Sequence, residues 1–189
     1  MTVIAIFNQK GGVGKTTTAL NLSAAIVRRG RPALAIDLDP QAQLSAITGN
    51  QVEDGDATIL SLFQHNRHLS QLRRCNCNGL QVIPAHIELS KVDTLYGKGY
   101  NVVNRLNASL RAENLREYPV LLDCSPLIGV LSLNAIFACD SIIVPISADH
   151  LSAKGALQIE KTLSALEKVL KRRVKRRYLM TRFDARRRM

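Results

Sequence analysis

Residues 7–23 read FNQKGGVGKTTTALNLS, and this stretch decides the fold. An apolar run at 3–7 precedes it, and a helical pattern over 15–29 follows. Gly11, Gly12 and Gly14 let the backbone curl until its N–H groups converge on one point. The helix that follows aims its positive end at the same point. Lys15 adds a cation and Thr16 a hydroxyl, so the segment 11–17, with Val13 and Thr17, reads as a cradle for phosphate oxygens with a magnesium ligand attached. The full pattern, G-x-x-x-x-G-K-[ST], asks for glycine at position 9, where this chain has Gln9. The loop is therefore a variant, and it carries a second lysine, Lys10, that phosphate binding does not require.

Working outward, strand-sized apolar runs alternate with helical patterns. Strands are expected at 32–38, 80–84, 118–123, 141–146 and 178–181. Helices are expected at 98–116 and along the apolar positions Ala156, Ile159, Leu163, Leu166 and Leu170. Short helical pieces at 59–63 and 69–74 interrupt a mixed region. This alternation predicts an α/β fold, a doubly wound and mostly parallel sheet with helices on both faces. Ligands of such sheets sit at the carboxyl ends of the strands, where the glycine loop falls.

The chain has 189 residues, 46% hydrophobic and 22% charged, which fits one soluble domain spanning residues 1–189. Its apolar runs are too short to span a bilayer. The opening MTVIAIFNQ has no basic segment before its apolar run and reads as a first strand, so a cytoplasmic location is expected. Cys75 and Cys77 are too closely spaced for an ordinary zinc half-site. They are read with Cys124 and Cys139 as reduced, non-ligating thiols. The formal charge is +11, and residues 168–189 hold eleven Lys or Arg against one acid, leaving +1 for the first 167. That asymmetry points to a polyanionic partner.

The motif KGGVGKTT resembles the deviant phosphate loop of the ParA/MinD family of ATPases. Asp37-Leu38-Asp39-Pro40-Gln41 resembles the family's first switch segment. Leu121-Leu122-Asp123-Cys124-Ser125-Pro126 resembles its magnesium-binding strand and second switch, although partition proteins often have proline at the place of Ser125. Leu133-Asn134-Ala135, Asp140-Ser141 and Val144-Pro145 fit the partition branch. Thr181-Arg182-Phe183-Asp184 resembles the segment near the adenine, which implies nucleotide-binding roles for Arg182 and Asp184. The resemblance covers essentially the whole chain. It implies that Lys10 is a signature lysine, reaching across a dimer interface to the other subunit's phosphates as an arginine finger does.

Hydrolysis of ATP needs a metal, an oriented water and stabilised phosphate charge. Asp123 ends an apolar strand and is placed to reach Mg2+. Asp37 and Asp39 lie two apart and share a face in extended geometry. The resemblance gives Asp39 the water-positioning role and puts Asp37 near the metal, while a cap of the turn at Pro40 stays open for either. Gln41 and Asn134 read as supporting hydrogen-bond groups. Cys124 and Cys139 lack the surroundings of the iron–sulfur cluster that bridges the nitrogenase iron protein, a relative in fold.

The basic end, with Lys171, Arg172, Arg173, Lys175, Arg176, Arg186, Arg187 and Arg188, has little aromatic interleaving and no base-reading motif. Such a run is often a solvated face; the resemblance favours non-specific DNA binding through phosphates. Five such contacts would give a salt slope of about −4.5. The resemblance also implies an ATP-bound homodimer, nucleoid association and a ParB-like partner that stimulates hydrolysis. The sequence FDARRRM has too little apolar surface for a membrane-holding helix. Relatives continue beyond this point, so either a short member or a missing C-terminal portion is expected. A membrane-cycling regulator, a metabolic or redox ATPase and a non-hydrolysing nucleotide-binding dimer remain alternatives.

Overall fold

The computed structural model describes residues 2–75, 79–97, 99–115, 118–184 and 186, with the backbone alone for 150–154. Along the chain run β1 (Val3–Ile6), α1 (Lys15–Arg28), β2 (Leu34–Leu38), α2 (Gln43–Ile47), α3 (Leu60–Gln64), α4 (Leu69–Leu72), β3 (Arg74–Cys75) and β4 (Gln81–Ile83). These are followed by α5 (Val92–Tyr96), α6 (Tyr100–Val103), α7 (Arg105–Ala112), β5 (Val120–Cys124), α8 (Val130–Ala138), β6 (Ser141–Ser147), α9 (His150–Leu170) and β7 (Lys175–Thr181).

Seven strands form one sheet in the order β3-β4-β2-β5-β1-β6-β7. Every pairing is parallel except that of the short edge strand β3 with β4. The central strands β2 and β5 are buried at every position, as apolar runs covered on both faces must be. On one face Ala33, Ala35, Val82 and Leu121 pack against Leu20, Leu22, Ile26 and Val27 of α1. On the other, Leu34, Ile36, Val120, Leu122, Ile142 and Val144 pack against α3, α7, α8 and α9, the last through Ile159 and Leu163.

Pro145 lies inside β6 without breaking it. Its carbonyl accepts from the Asn8 side-chain amide at 2.7 Å, so its missing N–H faces the side where β1 has already turned into the glycine loop. No ladder bond is lost there.

Three expectations shift. The helix expected over 98–116 is two helices, broken at Asn104 (residues 98 and 116 lie outside the described residues). Asn134 of α8 inserts its side chain at the break, accepting from Leu106 N at 3.0 Å and donating to Val102 O at 2.9 Å. The last strand begins at Lys175 rather than 178, because an exposed edge strand tolerates the basic residues 175–177 that masked it. The long helix begins at His150, ahead of its apolar repeat.

Candidate phosphate and metal site

The glycine loop leaves β1 at the carboxyl end of the sheet, between strands whose ends are in register. Ile6 pairs with Asp123, and Asp123 with Asp37. An open cavity of about 670 Å³ sits there, lined by residues 11–18, Asp39 to Gln41, Ser125 to Leu127, Thr181 and Arg182. Gly12 and Gly14 take φ of +68° and +92°, the left-handed region where a side chain is strained. That curl turns the backbone into the N-terminus of α1. Thr181, ending β7, holds the loop from the far side by donating to Val13 O at 2.8 Å.

Lys15 is buried, and its ammonium donates to Lys10 O at 3.0 Å. Burial lowers its pKa from the ordinary lysine value, opposed by the nearby Asp123 and Asp39 carboxylates. Asp123 is buried, and neither of its oxygens has a hydrogen-bond partner. Burial pushes its carboxyl up to about 7, and the neighbouring Asp37 adds to the rise. Thr16 lies close enough to oppose the shift, but no well-formed hydrogen bond from it reaches either oxygen. Two buried oxygens left unpartnered cost free energy unless something satisfies them. A hydroxyl, one carboxylate and phosphate oxygens make the hard, partial donor set that Mg2+ accepts. The residues present therefore fit that ion. Among the described residues no group of three or more His, Cys, Asp and Glu gathers for a metal, so the ion would depend on the phosphates for the rest of its ligands.

The paired carboxylates of β2 separate into different jobs. Asp37 is fully buried and accepts from Ser45 N at 2.9 Å, Ser45 Oγ at 2.7 Å and Asp39 N at 3.1 Å. It ties the start of α2 to the sheet, and through Ser45, which also accepts from Ala85 N at 2.9 Å, it fixes the end of β4. Burial raises its carboxyl to about 6. Its expected place near a metal is thus occupied by protein donors, and Asp37 acts as an anchor here. Asp39 accepts from Gln41 N at 3.0 Å and lines the cavity opposite the phosphate loop, close enough to the Lys15 ammonium to act on it.

Lys10 lies at the rim. Its backbone N–H donates to Asn8 Oδ1 at 2.9 Å, and its ammonium donates to Asp149 at 2.9 and 3.1 Å. Ser147 Oγ donates to the same carboxylate at 2.5 Å. Asn8 and Asp149 were missed in the sequence. Asn8 stands inside the opening stretch without a motif of its own, and nothing local marks Asp149.

Arg182 closes the cavity beside Gly12. Asp184 is paired instead with Arg186, at 2.9 Å. The basic end also divides. Arg172 donates to the Ile136, Phe137 and Cys139 carbonyls at 3.3, 3.1 and 2.7 Å, capping the C-terminus of α8. Arg176 is bound by Glu160 and Glu167 at 2.9 and 2.6 Å. Both were expected to contact DNA; in the folded chain both are half-buried and bonded to other parts of the fold. Lys171, Arg173 and Lys175 remain exposed, while Arg187 and Arg188 lie outside the described residues. Of the thiols, Cys75 is exposed, Cys124 and Cys139 are buried, and Cys77 lies outside the described residues.

A family model described as an AAA domain matches residues 1–176. The chromosome partitioning protein ParA of Caulobacter vibrioides is 34% identical over 97% of this chain and 70% of its own length. The chain belongs to the ParA/MinD family of P-loop ATPases. The sporulation initiation inhibitor protein Soj of Bacillus subtilis is 31% identical over 89% of the chain. The ParA of Myxococcus xanthus is 33% identical over 97% of the chain and 66% of its own length. The chain thus spans about two thirds of the length of these curated relatives. Among solved structures, cobyrinic acid a,c-diamide synthase from Mycobacterium smegmatis, with bound ATP analog and magnesium, superposes with a TM-score of 0.91 at 30% identity, covering 99% of this chain and 77% of that one. A plasmid partition protein from Borrelia burgdorferi gives 0.86 at 22% identity, covering 100% and 82%, a likeness of fold. No described helix is long and apolar enough to cross a membrane.

Proposed function

We propose that this chain is a partition-type ATPase: Mg-ATP drives two copies together face to face, the dimer binds DNA non-specifically, and hydrolysis releases it. The observation that carries the reading is the buried, unpartnered Asp123 carboxylate beside Thr16 and Lys15, with a second loop lysine, Lys10, held at the rim by Asp149. Mg2+, when bound, would neutralise negative charge on the nucleotide phosphates. The chain's own residues do the rest. Loop N–H groups and Lys15 bind and orient the phosphates, Thr16 and Asp123 hold the ion, and Asp39 positions the attacking water. Arg182 closes the pocket.

Lys10 supplies the cation in trans. In the single chain it is held by Asp149, and two copies meeting at this rim would exchange that partner for the other copy's phosphates. A ParB-like partner on the cargo, whether plasmid, chromosome or protein body, would stimulate hydrolysis. The ParA and Soj relatives support this reading. DNA binding measured with ATP, with ADP and with no nucleotide tests it: binding confined to the ATP state is expected, and equal binding in all three would overturn the switch.

The likeness to cobyrinic acid a,c-diamide synthase favours a second reading, in which the same loop drives chemistry on a bound substrate. ATP turnover that is indifferent to DNA and to protein concentration would support it.

A further inference from the structure

The strand register places a second set of basic residues beside the one at the chain's end. Leu34 pairs with Val120, which pairs with Val3; Ile4 pairs with Ser141, which pairs with Lys175. Leu34 and Lys175 therefore start their strands at nearly the same level, on the end of the sheet away from the phosphate loop. Arg28, Arg29 and Arg31 stand just before β2, and Lys171 and Arg173 just before β7. All five, with Lys175, are exposed. No acid occurs from residue 21 to 36 or from 168 to 183. Asp140, between the two groups in the strand order, accepts from Val3 N at 2.8 Å. Glu160 and Glu167 are held by Arg176.

A basic residue in the last turn of a helix complements its dipole, which accounts for Arg28. Arg29 and Arg31 lie beyond that turn. Four strand spacings separate β2 from β7, roughly 19 Å. Over that span duplex DNA carries about eleven phosphates.

We propose that Arg28, Arg29 and Arg31 form, with Lys171, Arg173 and Lys175, one two-armed edge that binds the phosphates of duplex DNA. It deepens the DNA-binding reading above and rests on it. None of the six residues is an aromatic or an amide, and their charges meet phosphates rather than base edges, so the edge grips any sequence. It is also remote from the nucleotide cavity, so its charges can be removed without touching the phosphate site. An anionic membrane is the weaker fit: the large apolar side chains exposed near the arms, Val169 and Tyr100, are too few to hold a bilayer.

The test uses the full chain with ATP, a random-sequence duplex of about 30 base pairs and salt from about 50 to 300 mM. Six phosphate contacts give a slope of log affinity on log salt near −5, and R28Q/R29Q/R31Q should bring it near −3, with affinity at 0.1 M lowered on the order of a hundredfold. R28K/R29K/R31K should bind as wild type does. Melting and ATP binding are checked on each variant to confirm folding. If wild type shows the steep slope and the glutamine triple keeps it, the two-armed edge is wrong while the DNA reading stands. If wild type binds no duplex at any salt, the DNA reading itself fails. Binding to phosphatidylserine vesicles through these arginines, without duplex binding, would also overturn the proposal.

Discussion

The Lys10 ammonium lies 2.9 Å from the Asp149 carboxylate, across 139 positions of sequence. The side chains are 41% and 43% exposed, so the pair contributes less than about 1 kcal/mol. A bond that weak is compatible with the proposed exchange of Asp149 for the other copy's phosphates. Each dimer releases two such pairs, so Asp149→Asn should shift ATP-dependent dimerisation by no more than about thirtyfold, toward lower protein concentration. Lys10→Gln should abolish the dimer while keeping monomer nucleotide binding. Light scattering against concentration reads both, and dimers that persist in Lys10→Gln would end the trans role.

Asp39 faces the cavity, whereas Asp37 is consumed by Ser45 and Asp39 N–H groups. Asp39→Ala should lower ATP turnover by about a hundredfold or more with nucleotide affinity nearly unchanged. Equal turnover would remove Asp39 from the chemistry. Asp37→Asn should act on stability first, since its partners anchor α2 and β4.

Asp123 makes the nucleotide-free protein sensitive to pH. Its folded carboxyl titrates at about 7, above the ordinary 3.8, so the folded state holds a proton that the unfolded chain has released. The sign follows: the pH-dependent part of its cost is absent below about pH 4 and grows as pH rises toward 7. Asp123→Asn should therefore raise the apo melting temperature at pH 8 by several degrees and leave it unchanged at pH 4. Scanning calorimetry at the two pH values decides it; an equal effect at both would contradict the burial argument.

Arg172 and Arg176 should fail as DNA-binding residues and matter for folding. Removing Arg172 orphans the last carbonyls of α8, at about 1–3 kcal/mol. Arg172→Gln should lower the melting point by several degrees. The slope of DNA affinity on salt should not move, and a slope reduced by about one would mean the residue meets a phosphate after all.

The loop, the strands that flank it and the three carboxylates are legible because each is local: a turn needing positive φ, an apolar run, a charge at a strand end. The roles within the carboxylate pair are not local. Asp37 and Asp39 share a face in the sequence pattern, and only the arrival of Ser45 from α2 takes one of them out of the site. The helix over 98–116 shows the same limit, since the group that breaks it, Asn134, belongs to another helix.

The sequence by itself determined an ATP-type phosphate loop on a parallel α/β sheet, because glycine φ freedom and strand-length apolar runs are properties of short segments. The tertiary structure decided which charges are free to act. An ion pair or a cap depends on which groups packing brings within about 3 Å, and so Arg172 and Arg176 are bonded within the fold while Arg28, Arg29 and Arg31 stay exposed.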